Sequence, residues 1–111
     1  MIVVDTNILA GHCLPGPGNK ASELLLQLDP EWAAPVLWRS EFRNVLCGYL
    51  RRGVMNLDKA GEVIAVLEEA VAPSKRVDVE AMIAKTRALR ESLKFTTTPE
   101  EIDRFKREGR E

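Results

Sequence analysis

Apolar positions recur along this chain with two different periods, and the switches between them mark out its elements. Ile2, Val3 and Val4 form a β-branched run bounded by Asp5-Thr6-Asn7, which predicts a short buried strand ending at a polar edge. Ile8 to Ala10 open a first helix. Leu14-Pro15-Gly16-Pro17-Gly18 cannot continue it, because each proline lacks a backbone donor, so this stretch is read as loop. Ala21, Leu24, Leu25 and Leu28 return at helical spacing, with Asn19 placed to cap that helix and Asp29-Pro30 to stop it. Trp32 to Val36 predicts a second strand.

The strongest stripe follows. Trp38, Phe42, Val45, Leu46, Tyr49 and Leu50 share one helical face, and Arg51-Arg52-Gly53 supplies a C-terminal stop. Leu57, Ala60, Val63, Ile64, Leu67 and Val71 predict a further helix, with Asn56 as N-cap and Pro73 beyond its end. Another runs from Val79 through Met82, Ile83 and Leu89 to Leu93, with Asp78 as N-cap. Lys94 to Thr97 predicts a third strand. Thr98-Pro99-Glu100-Glu101 then has the form of a capping box with proline at the first helical position, Ile102 and Phe105 carry the apolar stripe, and Gly109 marks the stop. Strands alternating with helices predict an α/β fold, a parallel β-sheet flanked by helices, in one domain spanning residues 1–111.

Composition narrows the class without choosing a function. An apolar fraction of 45% and a charged fraction of 30%, well interspersed, belong to a globular domain rather than a disordered tail. No apolar run approaches the roughly 20 residues that span a bilayer, and Met1-Ile2-Val3-Val4 runs directly into Asp5 without a signal-peptide pattern. A cytoplasmic protein with no membrane partner is the expectation. Cys13 and Cys47 stand at no metal-ligand or redox spacing and read as bystanders. The net charge is −1, with residues 1–72 at −3 and residues 73–111 at +2, too slight a gradient to be a phosphate-binding footprint.

Chemistry is concentrated in two carboxylates. In parallel α/β sheets ligands collect at the carboxyl ends of strands, where the first strand would place Asp5. An isolated acid there more often caps the next helix. Glu41 changes that balance, because it lies near the apolar face of the helix around residues 38–52. A carboxylate there is costly unless paired, whether with Arg39 or Arg43 or with a metal. Two carboxylates on separate elements suit a hard divalent ion, Mg²⁺ or Mn²⁺, which prefers oxygen ligands.

Two stretches in order, M-I-V-V-D-T-N-I-L-A and W-A-A-P-V-L-W-R-S-E-F-R-N-V-L, with G-Y-L-R-R-G-V-M-N-L-D-K-A after them, resemble a PIN domain of the VapC ribonuclease-toxin type over about residues 1–90. The resemblance implies a PIN-like parallel sheet between helices, here shortened near the C-terminus. It implies a metal-dependent endoribonuclease of a toxin–antitoxin pair, with Asp5 and Glu41 as catalytic, metal-binding acids. Thr6, Asn7 and Ser40 become polar neighbours of the site. RNA is the implied substrate, and a small antitoxin protein and a homodimer are the implied partners.

The later part of the chain departs from that pattern. The family carries a third acid in a Tyr-Asp motif and a fourth after a Thr-x-Asp strand end, and neither motif occurs here. In one alignment Val77-Asp78-Val79-Glu80-Ala81 starts the helix before the missing motif, and Pro99 stands where the fourth Asp belongs. In the other, Asp78 itself is the third metal ligand; as a plain N-cap it needs no such role. Glu100, Glu101 and Asp103 suit the first turn of a helix, complementing its dipole. His12 reads as a surface side chain, Trp32 and Trp38 as core, and Arg51-Arg52 as a solvated helix end. A catalytically impaired module that acts by binding an antitoxin or itself is the competing expectation.

Overall fold

The computed structural model describes residues 1–71 and 78–108. Along the chain run β1 (Ile2–Val3), α1 (Thr6–Cys13), α2 (Asn19–Leu28), β2 (Trp32–Ala33), α3 (Trp38–Arg51), α4 (Leu57–Ala70), α5 (Val79–Ser92) and α6 (Pro99–Arg107). The two strands pair in parallel, Ile2 opposite Trp32 and Val3 opposite Ala33. Backbone bonds from Ile2 N to the Glu31 carbonyl (3.0 Å) and from Val4 N to the Ala33 carbonyl (2.8 Å) extend the ladder by one position on each side.

The predicted parallel sheet flanked by helices is therefore corrected: the chain is mainly helical, with one short parallel pair among the described residues. Two residues per strand give too few ladder bonds to organise a domain, and the side chain of Val3 faces solvent at 69% exposure instead of a helical layer. Lys94 to Thr97 makes no strand. Thr97 turns its N–H (2.6 Å) and its hydroxyl (3.1 Å) onto the carbonyl of Pro15, and Phe95 lays its ring against Tyr49 with centroids 4.7 Å apart. The segment thus spends its backbone donor on the loop after α1, not on β1.

Helix α1 takes the central place that a sheet would have held. It packs against each of the other five helices, and Thr6, Leu9, Ala10, Gly11, His12 and Cys13 are all buried, so it is enclosed almost all round. The stripe on α3 buries Trp38, Phe42, Val45, Leu46 and Tyr49 as its spacing predicts, and both tryptophans, Trp32 and Trp38, lie in the core.

Local signals at helix ends are well obeyed. Asn56, Asp78 and Thr98 accept from the backbone N–H of Lys59, Ala81 and Glu101, three residues on in each case. Gly53 takes the positive φ of 75° that a residue with a side chain resists. Asn19 differs from expectation. It is the first residue of α2, and its amide ties the preceding loop by donating to the carbonyls of Gly11 and Leu14 (both 2.7 Å) and accepting from Gly16 N (3.1 Å). The expected stops at Pro73 and Gly109 lie outside the described residues.

Helix α6 is seated on α3 by a side chain that only glycine admits. A Cβ at Gly48 would stand 2.3 Å from the Phe105 ring, so the buried aromatic rests directly on the α3 backbone. Around it Glu101 accepts from the Tyr49 hydroxyl (3.3 Å) and pairs with Arg52, while Arg51 pairs with Glu108. The Arg51-Arg52 end is thus an ion-paired clamp rather than a merely solvated terminus.

Candidate carboxylate site at the start of α1

Asp5 follows the end of β1 and caps α1, its Oδ1 accepting from Ile8 N at 3.0 Å. The residue is exposed, so the cap leaves it in contact with solvent. The next residue, Thr6, is buried at 1% exposure, and its hydroxyl donates to Glu41 Oε1 at 2.7 Å. This bond carries Glu41, in the first turn of α3, to the first turn of α1. The two acids singled out in the sequence are thereby tied to adjacent positions, one by chain and one by hydrogen bond.

Asn7 extends the group to the other end of the protein. Its Nδ2 donates to Asp103 Oδ1 at 2.8 Å, and its Oδ1 accepts from Lys106 Nζ at 2.6 Å. Lys106 also lies 3.5 Å from Asp103 Oδ1, one turn back along α6. The hydrogen bond from Asn7, and then the nearby Lys106, hold the Asp103 carboxyl below the usual carboxylate range. Asp103 is thus more than an acid complementing a helix dipole. Lys106 was not singled out by its sequence context; its one signal is the i,i+3 spacing from Asp103.

The remaining predicted residues stand apart. Ser40 neighbours Glu41 in sequence, but it is exposed and its hydroxyl donates to the Leu37 carbonyl at 3.0 Å. Asp78 is an exposed cap of α5. Among the described residues no group of three or more acidic, histidine or cysteine side chains is arranged to hold a metal. The donor set is still of the right kind. Mg²⁺ commonly keeps several waters and takes only one or two carboxylates together with substrate phosphates, and Asp5 and Glu41 offer carboxylate oxygens of that type.

Beside these groups runs a cleft of about 430 Å³ between α1, α2 and the start of α6. Ile8, Ala21, Leu25, Pro99 and Ile102 give it apolar walls, while Asp5 and Asn7 belong to its lining as well. The polar group and the apolar cleft therefore share two residues.

His12 is fully buried, contrary to its reading as a surface side chain. The Ser22 hydroxyl has one proton and donates it to the Asn19 (2.9 Å) or Gly11 (3.2 Å) carbonyl, so at 3.4 Å the His12 Nδ1 acts as donor to Ser22 Oγ. Nε2 is then an acceptor. It and the indole Nε1 of Trp32 have no partner among the described residues, and the two rings meet edge to face with centroids 5.3 Å apart. Burial, followed by the charge of Arg90, lowers the His12 pKa to about 4. An ion-pair network lies close by: the buried Glu23 accepts from the exposed Arg87 (2.7 and 3.1 Å) and from the buried Arg90. Cys13 is buried, which pushes its thiol far above the reactive range, and Cys47 is partly exposed.

No family model, curated protein or solved structure matches this chain. No helix among the described residues is long and apolar enough to cross a membrane.

Proposed function

We propose that this chain is an RNA-cleaving module of the VapC toxin type, centred on Asp5 and Glu41 and dependent on Mg²⁺ or Mn²⁺. The observation that carries the reading is the Thr6–Glu41 hydrogen bond, which ties an acid of α3 to the position next to Asp5 across thirty-five residues of chain. A bound divalent ion would lower the pKa of a coordinated water and offset charge on a phosphodiester under in-line attack. The protein's own part is to hold that centre. Asp5 is fixed by its cap bond to Ile8, Glu41 is oriented by Thr6, and Asn7 joins Asp103 and Lys106 to them. Lys106 offers a cationic donor of the kind that engages an RNA phosphate.

Binding to a protein partner is the second reading, and the apolar cleft favours it. A small antitoxin that fills the cleft would cover Asp5 and Asn7 in the same act. Exposed Leu28, Val36 and Leu37 offer further apolar surface for an antitoxin or for a second copy.

The test is cleavage of a mixed structured RNA with Mn²⁺ or Mg²⁺, comparing the protein with Asp5→Asn from the same purification. Metal-dependent cleavage that the substitution removes supports the nuclease reading. Equal cleavage by both, or none by either, overturns it and leaves partner binding as the better account.

A further inference from the structure

The cleft between α1, α2 and α6 is lined by polar side chains that, with one exception, already donate to protein partners. Asn7 donates to Asp103 and accepts from Lys106, the Ser22 hydroxyl donates to the Asn19 or Gly11 carbonyl, and the Thr97 hydroxyl donates to Pro15. Asp5 is the exception. It is the one charged side chain of the lining, and its Oδ1 takes the cap bond from Ile8. Its second carboxylate oxygen accepts from no protein donor, and it forms no ion pair, among the described residues. Glu41, bonded to the adjacent Thr6, adds negative charge beside it, while the Lys106 ammonium is balanced by Asp103 at 3.5 Å.

The geometry points to this cleft as a binding site for a small organic cation, an amine carried on an aromatic or aliphatic body, with the amine at Asp5 and the body against Leu25 and Ile102. Its volume of about 430 Å³ lies within the range of roughly 300–1,000 Å³ found for small-ligand sites. Its walls are set by packed elements: a Cβ at Gly18 would lie 3.3 Å from the Gly11 Cα, where α1 meets α2, and Ile102 on α6 is buried. A cleft already formed needs little ordering when a ligand enters. An anion would meet Asp5 and Glu41 with no cation in the lining, and a polyol would bury hydroxyls against apolar walls. Asp5 is exposed and the start of α1 offsets part of its charge, so the ion pair adds a modest preference to a mainly apolar contact. The inference does not depend on the nuclease reading, although both use Asp5.

The experiment titrates the protein, in the absence of divalent metal, with phenylbutylamine, phenylbutanol and phenylbutyrate, and follows the amide signals by NMR. The amine is expected to shift signals of α1, α2 and the start of α6, and to bind roughly three- to fivefold more tightly than the alcohol, with the carboxylate weakest. Asp5→Asn keeps a good N-cap and should bring the amine down to the affinity of the alcohol. Ala21→Phe adds a ring to the cleft wall and should abolish binding of both, with circular dichroism checking that each variant is folded. Equal affinity of the parent protein for amine and alcohol, an amine preference that survives Asp5→Asn, shifts confined to other elements, or no binding of any probe overturns the proposal. Each of these results stands whether or not the chain cleaves RNA.

Discussion

The Thr6 hydroxyl and the Glu41 carboxylate meet at 2.7 Å, joining the first turn of α1 to the first turn of α3. Thr6 is buried, so its hydroxyl has no water to replace Glu41 if that bond is lost, whereas half-buried Glu41 can be partly rehydrated. Thr6→Val keeps the shape and removes the donor. A hydrogen bond to a charged group contributes more than a neutral one, and replacing a buried hydroxyl by a methyl removes a desolvation cost. Together they give an expected loss of about 1–2 kcal/mol. Urea denaturation measures it, with Thr6→Ser expected to retain most of the stability. Wild-type stability in Thr6→Val would mean that the bond does not hold the two helices together.

Gly48→Ala tests the seat of α6. Alanine ordinarily favours a helix interior by roughly 1 kcal/mol over glycine, but here the new methyl would lie 2.3–2.6 Å from three atoms of the buried Phe105 ring. Overpacking of that kind costs about 1–3 kcal/mol, so the clash is expected to win and the net change to be destabilising. Amide hydrogen exchange should show protection falling first across residues 99–107, since Phe105 is the side chain that seats α6 directly on the α3 backbone. A variant more stable than the parent, with α6 still protected, would contradict this packing.

Acid should weaken the fold in two separable windows. The His12 pKa is lowered in the folded state to about 4 from 6.5, first by burial and then by Arg90, so the unfolded chain binds the proton more tightly. The stability from keeping His12 neutral is complete above pH 6.5 and is lost as pH falls towards 4, roughly 3 kcal/mol in all. Glu23 is lowered to about 2 from 4.5, chiefly by its hydrogen bonds from Arg87 and then Arg90, so its contribution is complete above pH 4.5 and is lost on falling through 2. Melting temperature followed against pH should therefore fall first between 6.5 and 4. In His12→Gln that first fall should vanish while the fall below 4.5 remains. A wild-type curve that is flat from 6.5 to 4 would show that His12 accepts a proton in place.

What the sequence by itself determined about this protein is what its neighbours in the chain decide. The stripe on α3 was legible because a 3.6-residue repeat forces Trp38, Phe42, Val45 and Tyr49 onto one side of any helix they form. The caps at Asn56, Asp78 and Thr98 were legible because each bond closes within three residues. Asp5 and Glu41 stood out as chemistry on the same footing, from type and local setting. Tertiary structure decided the rest. Lys94 to Thr97 has a strand-compatible composition, yet where its backbone donor goes depends on which acceptor the packed chain brings near, and that acceptor is Pro15. His12 precedes a loop as a surface residue would, but α1 is enclosed by five helices. Lys106 and Asn7 are separated by ninety-nine positions, and no local rule joins them. Their contact depends on where α6 docks, which the bare glycine surface at Gly48 and the ring of Phe105 decide together.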